Sequence, residues 1–420
     1  MKAKVNQNLE NQLWQLFNKI RLRSTSVESS IFWLLAIAVL AKQSPEKFQE
    51  LSNLNSEQKL EYVVKNSYCE LKNHKFDSDS LELMLSFIEE INDFSLLADA
   101  VSSLLSGAFL KDFDPGFSSQ IISTFIKKYV AKEKLGSVYD GAAGYCSITS
   151  QITADNFYLM DISQDNKTIG QGIMLLKDKK FTYECGDTLS EAISSISADL
   201  VVCEPPWGLR LSPGKREAIN SGRYLLSKDL ESPPTSASDS LWIQNSLYHL
   251  NDKGKAFVIL PHGWLFRGGY DALLRERMLG LDVIEAIVGL PERSMKTTAI
   301  APVILILNKN KKYKNLVHLV DASDMGTVDK RQVNLSDNEI QSVVDMAQGK
   351  NKDESYFKAV TLEHIAENDN NLMIKQYFLQ KKAFQPFDIS SEVEQLKHLT
   401  KKSEAAEQKL LGLLTVEVKN

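Results

Sequence analysis

The chain has 420 residues, 43% hydrophobic and 25% charged, the balance of a soluble globular protein with room for more than one core. A formal net charge of −5 excludes a globally basic nucleic-acid binder, so any contact with nucleic acid must come from a local patch or a partner. Cys69, Cys146, Cys185 and Cys203 lack metal-ligand spacing and read as reduced thiols of a cytoplasmic protein. No signal peptide is read at the start, and the apolar run 31–41 is about half of what a bilayer span needs.

Residues 1 to about 110 read as helical throughout. Leu13, Leu16, Phe17, Ile20 and Leu22 recur near helical spacing, and Ser26, Ser29 and Ser30 are cap candidates before a buried helix over 31–41. Segments 56–72, 80–92 and 94–110 continue the pattern, with Asp79 and Asp93 as expected N-caps and Glu82 placed for a capping box with Asp79. Lys19, Arg21 and Arg23 form a small basic cluster, read as a solvated face or a phosphate contact.

The pattern changes after residue 117. An amphipathic helix over 118–132 precedes strands expected at 137–139, 157–161, 181–187, 199–203, 255–261, 283–291, 301–309 and 316–323. Helices are expected between them at 164–177, 189–196, 240–250 and 270–279. Strands alternating with helices over this length predict an α/β fold with a doubly wound, mostly parallel sheet. Leu396, Leu399, Ser403, Ala406, Leu410 and Leu413 give a 3,4 seam near the end, suited either to packing on its own domain or to a partner helix.

Four strand ends carry the chemistry. The loop DGAAGYC (140–146) is small enough for a ligand to approach its backbone, and Asp161 ends the next strand where an acid can accept from ribose hydroxyls. Asp187 ends the third and can accept from an adenine amino group. Together the three acids describe a nucleoside site without a phosphate requirement, as for S-adenosylmethionine, and the loop lacks the G-x-G-x-x-G of a dinucleotide site. The fourth strand ends in Glu204-Pro205-Pro206-Trp207, a carboxylate and an indole on a stiff loop, suited to a flipped planar base.

In this combination the chain resembles the N6-adenine DNA methylases, specifically the modification subunit of type I restriction-modification systems. DGAAGYC, Asp161, Gly186-Asp187-Thr188, EPPW (204–207) and LPHGWLFRGG (260–269) match the motifs of that family, over roughly residues 10–325. The resemblance implies a Rossmann-like methyltransferase sheet, preceded by an all-α domain and followed by a helical tail. The domain boundaries expected from it are 1–112, 113–325 and 326–420. It implies S-adenosylmethionine held by Phe117, Asp140, Ala142, Gly144, Asp161 and Asp187, and methyl transfer at Glu204, Pro205, Pro206 and Trp207. Phe266 and Arg267 would meet the base or the DNA, with Trp242, His262, Lys215, Arg216 and Arg223 as weaker candidates whose bland readings are core packing or loop surface. The implied partners are double-stranded DNA, a specificity subunit, a second methylase subunit and a restriction subunit, with no membrane. The chain departs from the family where Glu204 replaces Asn or Asp, where Tyr145 and Cys146 replace small residues that could otherwise leave room for the methionine part of the cofactor, and where DFDPGFSSQ (112–120) replaces an aromatic-Thr-Pro segment. Two functions therefore stand: an adenine methyltransferase, or a methylase-fold scaffold that keeps binding and has lost chemistry.

Overall fold

The computed structural model describes residues 2–22, 26–105, 119–190, 196–213, 216, 224–226, 233–295, 298–329, 332–378 and 389–417. Contacts divide the chain into two units, Met1–Ile374 and Lys375–Asn420.

The first unit opens with helices α1 (Lys2–Arg21), α2 (Val27–Gln43), α3 (Pro45–Glu50), α4 (Ser56–Asn66), α5 (Ser78–Glu89) and α6 (Phe94–Leu105). Ser26 caps α2, accepting from Ser29 N at 3.0 Å, and every residue from Ser29 to Leu40 is buried. That helix is apolar all round because neighbours cover all of it. Among the described residues no single helix is long and apolar enough to cross a membrane. Asp93 caps α6 as expected, accepting from Ser95 N and Leu96 N at 2.9 and 3.1 Å. At α5 the expected cap is displaced: Asp77, not Asp79, accepts from Ser80 N at 2.8 Å and from Ser80 Oγ at 2.6 Å. The serine hydroxyl gives Asp77 a second donor, and Glu82 is drawn instead to Lys59 at 2.7 Å.

Helix α7 (Gln120–Tyr129), capped by Ser119, leads into the sheet. The strands are β1 (Ser137–Asp140), β2 (Asn156–Asp161), β3 (Phe181–Cys185), β4 (Ala198–Cys203), β5 (Leu250–Pro261), β6 (Ile284–Gly289), β7 (Pro302–Asn308) and β8 (Leu316–Asp321). A separate β9–β10 hairpin (Thr327–Asp329, Gln332–Asn334) precedes the last strand, β11 (Phe357–Thr361). The nine-stranded order is β11-β8-β6-β7-β5-β4-β1-β2-β3, parallel except where β7 lies between β5 and β6 and where β11 pairs with β8. The order reverses between β1 and β4, and a ligand in an open α/β sheet binds at the carboxyl ends beside such a reversal.

The interstrand helices are α8 (Gln164–Leu176), α9 (Ser238–His249), α10 (Tyr270–Gly280) and α11 (Asp337–Ala347), and α12 (Leu362–Ala366) follows β11. Of the expected helix 189–196, residues 188–190 form a turn and 191–195 lie outside the described residues. Nor does the boundary expected near 112 separate two cores. Tyr145, Ile169, Ile173 and Leu176 are buried in one cluster with Leu13, Phe17, Leu35 and Leu97. Each such side chain contributes about 1.5–3 kcal/mol by leaving water, so the N-terminal helices and α8 stabilise one another. Polar ties run the same way, from Tyr68 Oη to Thr168 O at 2.9 Å and from Lys42 Nζ to Leu176 O at 2.8 Å. The sheet also continues past residue 325: Ile340, Val343 and Val344 of α11 and Phe357 of β11 belong to its core. That edge strand escapes sequence reading because FKAVT is short and mixes polar and apolar residues on both faces.

The second unit carries a long helix, Ile389–Glu417, whose Val393, Leu396, Leu399, Leu410 and Leu411 are exposed.

Candidate active site

The first loop is a tight turn built on positive backbone angles. Gly144 sits at φ +49° and Cys146 at φ +61°. The left-handed region costs a residue with a β-carbon roughly 1–2 kcal/mol, so Cys146 occupies a glycine-type position under strain. Hydrogen bonds hold it there: Cys146 N donates to Ala143 O at 2.8 Å, and Ala143 N to Met160 O at 3.0 Å. Helix α8 closes on the turn at Gly170, where a β-carbon would come within 2.8 Å of Cys146 Sγ and of Tyr183 Cε1. Tyr145 and Cys146 are both buried, 2% and 0% exposed, in apolar clusters with α8 and the sheet. The expected crowding of the methionine side by these two residues therefore gives way to packing inward.

The acid-bearing strand ends interlock through this loop. Asp161, half-buried, accepts from Gly144 N (2.9 Å), Ser163 N (2.9 Å) and Asn166 Nδ2 (3.1 Å). A carboxylate has about four acceptor positions, so Asp161 keeps room for a ligand hydroxyl. Ile162 beside it is 71% exposed, an apolar side chain that the motif reading overlooked. Tyr183 Oη donates to Gly144 O at 2.6 Å, and Thr188 Oγ1 donates to Gly141 O. Asp187 closes its own turn, accepting from Leu189 N at 3.2 Å and Ser190 Oγ at 3.0 Å.

Asp140 is 4% exposed and accepts from Ala142 N at 3.1 Å. Burial pushes its carboxyl up to about 8; the Ala142 amide opposes this, and the charges of Asp161 and Glu204 add to it. Asp140 stands opposite Val202 in the β1–β4 register, which places Glu204, two residues on, along the same side. The turn after β4 is fastened on two sides. Pro205 is buried, Pro206 exposed and Glu204 half-buried. Trp207, half-buried against the sheet core, donates Nε1–H to Ile259 O at 3.0 Å. Gly208, at φ +64°, donates its amide to Asp239 Oδ1 at 3.1 Å.

Asp239 belongs to a buried ionic group that motif reading missed. It is 1% exposed, and its Oδ2 pairs with Arg267. Arg267 Nε lies 2.8 Å from Asp271 Oδ2, and Asp271 Oδ1 accepts from Ser240 Oγ at 2.6 Å. Ser240 Oγ accepts in turn from Trp264 Nε1 at 3.0 Å. Arg275, 2% exposed, donates to Trp264 O at 2.7 Å and to Arg267 O at 2.8 Å. Burial pushes the Asp271 carboxyl up, against the Ser240 hydroxyl and the Arg267 charge. The sequence signal was present in S-D-S (238–240), which reads as an ordinary helix start.

Phe266 is 45% exposed in the loop before Arg267, while Trp242 is buried as core. His262 is half-buried in the 3₁₀ turn His262–Leu265. Arg216 Nε donates to Pro233 O. Phe117, Lys215 and Arg223 lie outside the described residues. Among the described residues no group of His, Cys, Asp and Glu could hold a metal ion.

A sequence model of the family described as N-6 DNA Methylase matches residues 115–385. The chain is 28% identical over 251 residues to the type I restriction enzyme MjaVII methylase subunit of Methanocaldococcus jannaschii, covering 56% of this chain and 42% of that one. It is 24% identical over 297 residues to the MpnII methylase subunit of Mycoplasma pneumoniae, covering 65% and 54%. The chain thus spans about half the length of the curated relatives it matches. Among solved structures, a type I restriction-modification methyltransferase subunit from Streptococcus thermophilus superposes with a TM-score of 0.72 at 17% identity, covering 88% of this chain and 99% of that one. A modification subunit of a putative type I restriction enzyme from Vibrio vulnificus gives 0.63 at 13% identity, covering 85% and 93%. These superpositions show a shared fold.

Proposed function

Because the chain belongs to the N-6 DNA methylase family, we propose that it methylates the N6 amine of an adenine flipped out of double-stranded DNA, as the modification subunit of a type I-like restriction-modification system in the cytoplasm. The observation that carries this reading is the position of Glu204-Pro205-Pro206-Trp207. The loop leaves β4 beside the β1–β4 reversal, next to Asp140 and Asp161, inside the family match.

The residues present fit S-adenosylmethionine. Asp161 has acceptor room for a ribose hydroxyl, Ile162 offers an apolar face to an adenine ring, half-buried Ala142 leaves the loop backbone approachable, and buried Gly144 fixes the turn beneath it. Asp161 and Glu204 act on Asp140 as negative charges, a potential suited to a cationic ligand, while Asp140, pushed up to about 8, holds its proton at neutral pH. When bound, that cofactor supplies an electrophilic methyl group on a sulfonium sulfur. Asp187 can accept from the cofactor adenine only with what its turn leaves over, so it acts chiefly by shaping that wall. Phe117 is retained as a cofactor neighbour on the resemblance alone.

On the base side, Glu204 and the Pro205 carbonyl accept the two N–H groups of the target amine. Drawing on both N–H groups makes the nitrogen lone pair more available for attack, and one proton leaves as the new N–C bond forms. An ionised Glu204 is a stronger acceptor than an amide oxygen and can take the proton released on transfer. Trp207, held by its ring edge on Ile259, provides the stacking face, and the exposed Phe266 is a second aromatic candidate for the base. Base sequence is read by a specificity subunit shared with a second methylase chain, with a restriction subunit joining that complex. The exposed leucines of Ile389–Glu417 are the docking candidate on this chain.

Glu204 also favours a second reading, a scaffold that binds without chemistry, because its head group reaches one methylene further than Asn or Asp. Misplacement near 1 Å can cost about 100-fold in rate. Calorimetric titration with S-adenosylmethionine, followed by methylation of adenine-containing duplex DNA, separates the two. Saturable binding with N6-methyladenine formation is expected, and Glu204→Asn lowers the rate. A Glu204→Asn variant that gains activity from a silent parent establishes the scaffold.

A further inference from the structure

We propose that Arg267 is a positioning residue that clamps the Trp207 loop through Asp239, and that it makes no contact with a DNA phosphate. The inference rests on reading that loop as the base-binding edge.

A guanidinium in a glycine-rich loop beside a DNA site invites assignment to a phosphate, since its fork matches phosphate oxygens. The geometry gives this fork to carboxylates instead. Asp239 and Asp271, with side chains 1% and 9% exposed, both face Arg267, itself 40% exposed. With Arg275 also acting on Asp271, two cations balance two nearly buried anions, so the group has no net positive charge with which to attract a phosphodiester. Nearby Arg275 spends its donors on the carbonyls of Trp264, Arg267 and Asn370.

The clamp has a clear route to the site. Arg275, from α10, holds the Arg267 carbonyl. Arg267 holds Asp239 Oδ2, and Asp239 Oδ1 receives the Gly208 amide, the peptide immediately after Trp207. The indole is thereby anchored twice, by its ring nitrogen on β5 and by the following amide on α9. Without Arg267, Asp239 becomes a buried carboxylate that has lost its cation and keeps the Gly208 amide, an arrangement costly enough to turn the side chain away. That movement releases Gly208 and with it the plane of Trp207.

The test uses the full chain with Arg267→Gln, Arg267→Lys and Asp239→Asn. Amide hydrogen exchange followed by mass spectrometry is read on peptides covering 204–211. Arg267→Gln is expected to speed exchange there about tenfold, the loss of one hydrogen bond, while peptides over 156–161 keep the parent rate. Arg267→Lys restores part of the protection, because an ammonium can pair with one carboxylate. Asp239→Asn in the Gln background adds little, since both changes cut the same link. In methylation assays the Gln variant loses kcat while its KM for DNA and the salt dependence of DNA binding stay at parent values. Unchanged exchange over 204–211, or a salt slope reduced by about one in log–log form, overturns the clamp and returns Arg267 to a phosphate. A parent chain without methylation removes the functional reading, and the exchange measurement still decides the clamp.

Discussion

The two halves of the site are held by different forces. On the side proposed for the cofactor, the loops after β1, β2 and β3 are joined by neutral and singly charged hydrogen bonds to backbone: Asp161 to the Gly144 amide, Tyr183 to the Gly144 carbonyl, Thr188 to the Gly141 carbonyl. On the side proposed for the base, the loops after β4 and β5 are joined by ion pairs between the half-exposed Arg267 and two nearly buried carboxylates. Backbone hydrogen bonds fix a surface whose shape must match one ligand and need no counter-charge. A carboxylate as buried as Asp239 is very costly to leave without its cation, so the pair makes a loop position nearly all-or-none. The cofactor half should therefore respond to substitution in graded fashion, and the base half as a switch.

The largest effect on the cofactor side is expected from Asp161→Ala. It strands the Gly144 and Ser163 amides and Asn166, so about 1–3 kcal/mol of stability is lost. S-adenosylmethionine affinity should drop by roughly 10–100-fold by calorimetry. A loss of stability with unchanged affinity would show that the loops carry the site without the acid.

A smaller effect concerns pH. Asp140 has a folded-state pKa raised to about 8 against an ordinary value of 3.8. Between those values the folded state holds a proton that the unfolded state has released, so stability falls as pH rises through the window and levels off above about 8. Thermal scans of the ligand-free chain from pH 5 to 9 should show this decline, and Asp140→Asn should flatten it by on the order of 3 °C. S-adenosylmethionine, being cationic, favours the ionised carboxylate, so its affinity should strengthen with pH in the parent more than in Asp140→Asn. An equal slope in both proteins would separate Asp140 from the cofactor.

The smallest effect inverts a usual preference. At φ +61°, Cys146→Gly relieves left-handed strain that Cys146→Ala retains. The glycine variant should therefore be the more stable of the two by about 1 kcal/mol in denaturant unfolding. The reverse order would mean that packing under α8 outweighs the backbone term.

The legible parts of the chain were those whose signal is local. Strand patterns from Ser137 to Asp321 stand out because strands buried on both faces are apolar throughout. Ser26 and Asp93 were readable as caps, yet Asp77 displaced Asp79 because Ser80 offers two donors to the earlier acid. The strand-end acids and EPPW were legible from chain order alone. Tyr145 was misjudged because sequence gives a loop residue no direction, and its direction is set by the helical cluster against which α8 packs. Arg267 looked like a phosphate ligand because its partners, Asp239 and Asp271, fall 28 and 4 residues away on two different helices.

Sequence alone determined the α/β class, the positions of the four strand-end loops and the family to which they point. Those follow from short-range rules: apolar periodicity, turn residues, and acids or prolines where strands stop. Tertiary structure alone decided that the N-terminal helices share a core with α8, that β11 extends the sheet past residue 325, and that Arg267 serves carboxylates. The physical reason is the same in each case. A side chain's partner is chosen by burial and charge among residues that are neighbours only after folding.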